Sequence, residues 1–136
     1  MVFMEWQDSF SVGVAALDED HKKLIATINE LYDSLRRGQS KEVMDKILKK
    51  MTSYCEEHFT NEERLFAQTN YPAAADHIKE HENLARQLLE IEAKYEANTG
   101  SIVSIELMNF LRIWLVDHFL GTDKKYTEHF NANGII

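Results

Sequence analysis

The chain has 136 residues, 44% hydrophobic and 28% charged, with a formal net charge of −8. That length fits one domain with its own core, and the composition excludes disorder. The acidic balance disfavours nucleic acid and anionic membranes as partners. A lone cysteine, Cys55, rules out an internal disulfide, and no apolar run reaches the roughly 18 residues of a membrane span.

Five Gly and one Pro are few chain breakers, which favours long helices over a many-turned β sandwich. Residues 1–17 read as an extended arm: Val2, Phe3, Trp6, Phe10, Val12 and Val14 alternate irregularly with polar residues, without helical spacing. The opening Met1–Trp6 lacks a basic stretch followed by a long apolar run, so no leader is expected and a cytoplasmic location is.

Four helical segments follow. The first spans Asp18 to Arg37, with Asp18 as expected N-cap, Gly38 as stop, and a seam of Leu17, His21, Leu24, Ile28, Leu31 and Leu35. The second is expected from Ser40 to Ala67, with Met44, Ile47, Met51, Tyr54, His58 and Leu65 inward, and ends at Asn70-Tyr71-Pro72. Pro72 should stand in the first turn of the third, which runs to Asn98 with Ala74, His77, His81, Leu84, Leu88, Ile91 and Tyr95 inward. Gly100 ends it and Ser101 caps the fourth, whose seam is Val103, Leu107, Leu111, Trp114 and His118. Gly121 is read as a break, with Thr122 capping a short last turn through Phe130. Short connections make neighbouring helices antiparallel. The expected fold is therefore all-α, an up-down-up-down four-helix bundle with an N-terminal arm and a short C-terminal helical turn. It is one domain over 1–136, with the arm at 1–17 and the bundle at 18–130.

Seam positions make up about two in seven of a bundle helix, yet five of the six histidines fall on them: His21, His58, His77, His81 and His118. A single core histidine usually satisfies itself by hydrogen bonding. Five in one small core exceed what helical backbone can offer, because its polar groups are already paired. Topology sharpens the point. The start of helix one, the end of helix two, the start of helix three and the end of helix four lie at the same end of such a bundle, and all five histidines are there. Glu62 lies one turn beyond His58, and Asp123 five residues beyond His118. Five imidazoles and two carboxylates exceed the four ligands of one zinc and suit two adjacent first-row ions, iron or manganese, with bridging carboxylates. The Glu-x-x-His motifs of ferritin-like di-iron bundles are absent.

The pattern His21 … His58-x-x-x-Glu62 … His77-x-x-x-His81 … His118-x-x-x-x-Asp123 resembles the hemerythrin family. The opening Trp6 … Val12-Gly13-Val14 … Asp18-Glu19-Asp20-His21 is similar to its single-domain bacterial type. The resemblance implies an oxygen-binding protein rather than an enzyme, holding O2 reversibly at a non-haem di-iron centre for carriage, storage or delivery. It implies that His77, His81 and His118 ligate one iron and His21 and His58 the other. Glu62, Asp123 and an oxo or hydroxo group would bridge the two, leaving one position open for O2. Leu24, Ile25, Phe59, Trp114 and Leu115, each near a ligand, are the expected walls of the O2 pocket. Dioxygen is the implied ligand and an oxygen-consuming enzyme the implied recipient. With no large apolar face evident, a monomer is favoured.

Other readings stand beside this one. His77-Ile78-Lys79-Glu80-His81 also matches the H-x-x-E-H zinc peptidase signature, with Glu80 as general base, but that leaves three histidines unexplained. Otherwise Glu80 is a solvent-facing charge. A di-iron sensor of O2 or nitric oxide, or an iron–sulfur repair-type redox protein, is the alternative of a different class. Cys55 is expected to be a small core residue, and His129 an exposed residue without a metal role.

Overall fold

The structure, a computed structural model, describes residues 4–38, 41–97, 101–114, 118 and 121–136. Four helices form the bundle: α1 (Ala15–Arg36), α2 (Lys41–Thr69), α3 (Ala74–Glu96) and α4 (Ser101–Ile113). A 3-10 turn (Asp123–Tyr126) and a short α5 (Thr127–Ala132) follow. No strand occurs among the described residues. The seams predicted from 3- and 4-residue steps are the buried faces. Leu24, Ile28 and Leu31 of α1, Met44, Ile47, Leu48 and Met51 of α2, Leu84, Leu88 and Ile91 of α3, and Leu107, Phe110 and Leu111 of α4 share one apolar cluster. In the last turns of α2 the seam passes through Phe66, which is buried, and not through Leu65, which only packs against the edge.

Ser101 is the first residue of α4 and not its cap, α2 runs two residues past Ala67 to Thr69, and four further differences concern the arm, the helix starts and the site. α1 begins at Ala15, one turn before Asp18, and its N-cap position is Val14. Asp18 is no cap: its carboxylate accepts hydrogen bonds from Ser11 Oγ (2.6 Å) and the Val12 amide (2.8 Å), so it ties the arm to the helix. The arm is not wholly extended, because Asp8–Phe10 make a 3-10 turn. Pro72 lies two residues before α3, whose N-cap position is Ala73. Ser40 and Gly100 lie outside the described residues. Gly38, with φ of +63°, stops α1 as expected, its amide reaching Leu35 C=O at 3.3 Å.

The fourth difference matters most for the site. Gly121 is not a break. Trp114, His118, Gly121 and Thr122 are π-helical. A π turn closes i→i+5 hydrogen bonds and is wider than an α turn, so residues five apart share a face. His118 and Asp123 are five apart. The sequence step that looked like an interruption is a widened turn that aims both side chains into the bundle.

The arm and α5 close the same end. Val12, Val14 and Leu17 pack with Phe66, Tyr126 and Phe130 in a second buried cluster. Thr127 Oγ1 donates to Val12 C=O at 2.6 Å, and Lys124 reaches Ser9 C=O. At the other side of α1, Asn29 exchanges two hydrogen bonds with the Met4 backbone, at 2.9 and 2.7 Å.

Candidate metal centre

Between the two apolar clusters lies a polar island. His21 comes from α1, His58 and Glu62 from α2, His77 and His81 from α3, His118 from the π-helical segment and Asp123 from the 3-10 turn after it. None of the seven is more than 3% exposed, and Glu62 and Asp123 are wholly buried. The i, i+4 steps of α2 and α3 stack each pair on one face.

Two overlapping groups emerge. Ligand-capable atoms of Glu62, His77, His81, His118 and Asp123 lie within 4.8 Å of one another, as do those of His21, His58, Glu62 and Asp123. Glu62 and Asp123 belong to both. Asp123 Oδ1 is 2.9 Å from Nε2 of His77 and of His118, while its Oδ2 is 3.0 Å from His21 Nε2. Glu62 Oε1 is 3.0 Å from His81 Nε2 and 3.2 Å from His58 Nε2. The Nε2 atoms of His21 and His58 face each other at 2.9 Å.

Apart from the His21–His58 contact, which is aligned as a hydrogen bond, these short approaches are not ordinary hydrogen bonding. The Nε2 atoms of His77, His81 and His118 and all four oxygens of Glu62 and Asp123 are buried, yet none has a partner in hydrogen-bonding alignment. Buried polar atoms left so are costly, and seven together mark a place for a shared cation. Two carboxylates common to two imidazole sets match a pair of adjacent ions.

Without a cation the charges must settle among themselves. Burial resists protonation of His118, but Asp123, Glu62 and Glu80 overcome it and raise its pKa to about 9. Burial likewise opposes charge on His58, where Glu62, Asp123 and Asp20 hold the pKa well above its usual value. His21 is lowered, by burial first and by the nearby His58. Burial would raise Glu62 and Asp123, but the surrounding imidazoles hold both well below the usual carboxylate range.

The outward Nδ1 atoms have partners that the sequence reading missed. His58 Nδ1 meets Asp20 at 3.2 Å, His81 Nδ1 meets Glu63 at 3.0 Å and His118 Nδ1 meets Glu80 at 2.8 Å. Glu80 is thus not a solvent-facing charge. Its carboxylate also accepts from Thr122 Oγ1; Thr122 holds the N-cap position of the 3-10 turn as expected, but without a side-chain capping bond. With its carboxylate on the far side of an imidazole, Glu80 does not stand where a peptidase base would.

Aromatic rings seal the island. Phe59 stacks on His81 with centroids 4.0 Å apart, and Trp114 lies nearly parallel to His118 at 6.3 Å. Leu24 and Ile25 are buried in the same cluster as these two rings. Leu115 lies outside the described residues. On the opposite side the sequence reading overlooked Phe66, 4.8 Å from His77, and Tyr126, stacked on His77 at 5.7 Å. Burial first, then Glu62 and Asp123, push the Tyr126 pKa well up, so its hydroxyl stays protonated. Cys55 is buried, its pKa raised to about 12 by desolvation, which makes it inert. His129 is half-buried rather than exposed, because its Nε2 donates to Thr69 C=O at 2.9 Å and pins α5 to the end of α2.

Fold and site together define a four-helix bundle built around a buried imidazole–carboxylate cation site. Comparison with known proteins gives the lineage. Residues 12–129 match the family described as the Hemerythrin HHE cation binding domain, and the chain belongs to the hemerythrin family. It is 30% identical to a bacteriohemerythrin of Stenotrophomonas maltophilia over 98% of this chain and 85% of that protein. It is 34% identical to a hemerythrin-like protein of Naegleria gruberi over 89% of this chain and 88% of that one. A crystal structure of a hemerythrin leucine-to-alanine variant superimposes with a TM-score of 0.85 at 27% identity, covering 95% of this chain and 98% of that one. No helix among the described residues is long and apolar enough to cross a membrane.

Proposed function

We propose that this chain binds O2 reversibly at a pair of non-haem iron ions, acting as a carrier or store and not as an enzyme. His77, His81 and His118 would hold one ion and His21 and His58 the other, with Glu62 and Asp123 shared between them. When bound, the pair supplies the electrons on which O2 binding draws. The observation that carries the reading is the unequal histidine count, three against two around two shared carboxylates. If both carboxylates served each ion equally, an ion held by His21 and His58 would have one protein ligand fewer than its neighbour, and a small ligand could enter there.

The protein's own part is to hold and to exclude. As metal ligands the imidazoles would be neutral and would outnumber the carboxylates, which would limit the negative charge placed on the metal and disfavour irreversible oxidation. Phe59, Trp114, Leu24 and Ile25 on one side and Phe66 and Tyr126 on the other keep bulk water away. Glu80 lies behind His118 and not where a hydrolytic base would stand, and buried Cys55 offers no accessible thiol for redox exchange.

The test is direct. Protein loaded anaerobically with ferrous iron should bind two ions per chain, gain visible absorption in air, lose it on deoxygenation and recover over repeated cycles. Absence of an oxygen-dependent spectral change would overturn the proposal. Continuous turnover of O2 or nitric oxide beyond stoichiometric binding would favour the redox alternative.

A further inference from the structure

The three carboxylates behind the histidines follow one rule. Asp20 precedes His21 on α1 and reaches His58 of α2; Glu63 follows Glu62 on α2 and reaches His81 of α3; Glu80 precedes His81 on α3 and reaches His118. Each helix thus supports an imidazole of the next helix with a residue adjoining its own inward-facing one. Asp20 also accepts from Asn61 Nδ2 at 3.2 Å, but of the three carboxylates Glu80 alone is seen to link its imidazole to the π-helical segment. The same carboxylate that accepts from His118 Nδ1 at 2.8 Å accepts from Thr122 Oγ1 at 3.0 and 3.1 Å.

His118 and Thr122 are both π-helical, and Asp123, the next residue, serves both atom groups of the site. A π turn is rare and occurs mostly as a short bulge inside an α-helix, so contacts from outside the turn are expected to support it. Glu80 supplies that support from α3. By gripping Thr122 on the outward side of the turn it leaves Asp123 facing inward, while its bond to Nδ1 turns the Nε2 lone pair of His118 toward the same point. We propose that Glu80 is a positioning residue that sets two ligands at once, His118 directly and Asp123 through Thr122 and the π turn. Glu80 touches neither ion position, and its carboxylate is 35% exposed, so it acts wholly through the residues it holds.

The inference rests on the two-ion reading above, and cobalt(II) separates the two. Full-length wild type, Glu80→Gln, Glu80→Ala and Thr122→Val are titrated with cobalt(II), following stoichiometry, affinity and the visible bands. Wild type should take up two ions. Glu80→Ala should weaken the ion at the three-histidine position by roughly 10–100-fold and shift its bands, the usual penalty for losing a partner of a ligating histidine. Glu80→Gln should recover much of the affinity, because the amide oxygen still accepts from Nδ1–H or Thr122. Thr122→Val should weaken binding less than Glu80→Ala. Leu88→Ala, a core change away from the island, serves as a control for plain destabilisation. The proposal is overturned if Glu80→Ala binds two ions with wild-type affinity and bands, or if Leu88→Ala loses as much affinity for the same fall in melting temperature. Should wild type bind fewer than two ions, the two-ion reading fails. Amide exchange in the apoprotein then decides the role of Glu80: faster exchange at Thr122 and Asp123 in Glu80→Ala, with α1 unchanged, supports the clamp, and unchanged exchange overturns it.

Discussion

Replacing Gly13 by alanine probes how the arm is held on the site-bearing end. Gly13 has φ of +74°, and a Cβ there would stand 2.6 Å from Thr127 Cγ2 and 3.3 Å from Asn131 Nδ2. The left-handed backbone alone costs an L-residue roughly 1–2 kcal/mol. The overlap with Cγ2 costs about 1–3 kcal/mol more if the packing yields. If instead Thr127 rotates away, it breaks its 2.6 Å bond to Val12 C=O, worth about 1 kcal/mol. Gly13→Ala should therefore destabilise by roughly 3 kcal/mol in total. Gly38 provides the control: its φ is +63°, but an added Cβ meets nothing within 4 Å, so Gly38→Ala should cost only the backbone strain of about 1–2 kcal/mol. Thr127→Ser removes Cγ2 and keeps the hydroxyl, so the double variant Gly13→Ala/Thr127→Ser should return to the Gly38→Ala value. Urea unfolding followed by far-ultraviolet circular dichroism measures all four, read as midpoint shifts at constant m. If Gly13→Ala costs no more than Gly38→Ala, or Thr127→Ser restores nothing, the arm is not packed on α5 as described.

Three further outcomes are expected. In the apoprotein, His118 has a folded pKa raised to about 9 from an ordinary 6.5. Its contribution is thus fully present below pH 6.5 and lost as pH rises through 9, amounting to roughly 3 kcal/mol, with raised His58 acting in the same direction. Iron-loaded protein should lack this decline, because the metal occupies the lone pairs, and chemical denaturation at pH 6.5, 8 and 9.5 with and without iron would show it; a flat apoprotein profile would contradict the charge arrangement. His58→Ala should leave one ion per chain by metal analysis and abolish the oxygen-dependent colour change, and retention of two ions would remove His58 from the ligand set. Trp114→Phe, which thins the wall beside His118, should speed loss of the oxygenated spectrum under air, and an unchanged rate would reduce Trp114 to core packing.

The bundle was legible because each helix advertises its inward face in steps of three and four, and because five histidines on those faces have no other physical excuse. Less could be read where a side chain serves a neighbour and not its own helix. Asp18 has the composition of an N-cap, but Ser11 and the Val12 amide claim its carboxylate. Glu80, Glu63 and Asp20 sit one position off the seams, where a charged residue normally meets solvent, and their partners are 38, 18 and 38 positions away in sequence. Their only signal was adjacency to an inward-facing residue. The π turn was hidden for a related reason: Gly121 resembles a stop, and the five-residue step from His118 to Asp123 makes sense only once both are known to face one point. Phe66 and Tyr126 carry no sequence signal of their own, because they reach the site from the end that the arm closes.

The strap across that end bears on when the protein can acquire its metal. Lys124 and Thr127 bind backbone 115 residues earlier, and Asp123 beside them is common to both atom groups of the site. Contacts so distant in sequence close late, since the loop entropy they must overcome grows with the length spanned. During synthesis His21, His58, Glu62, His77 and His81 all emerge before Asp123, yet without it both halves of the site lack a shared ligand. If the site holds iron as proposed, a chain still being made, or one whose strap has slipped, would hold it only loosely. Under the proposed two-ion reading, tight loading would therefore report that residues 9–12 and 124–127 have met, and the ions would seal finished folding.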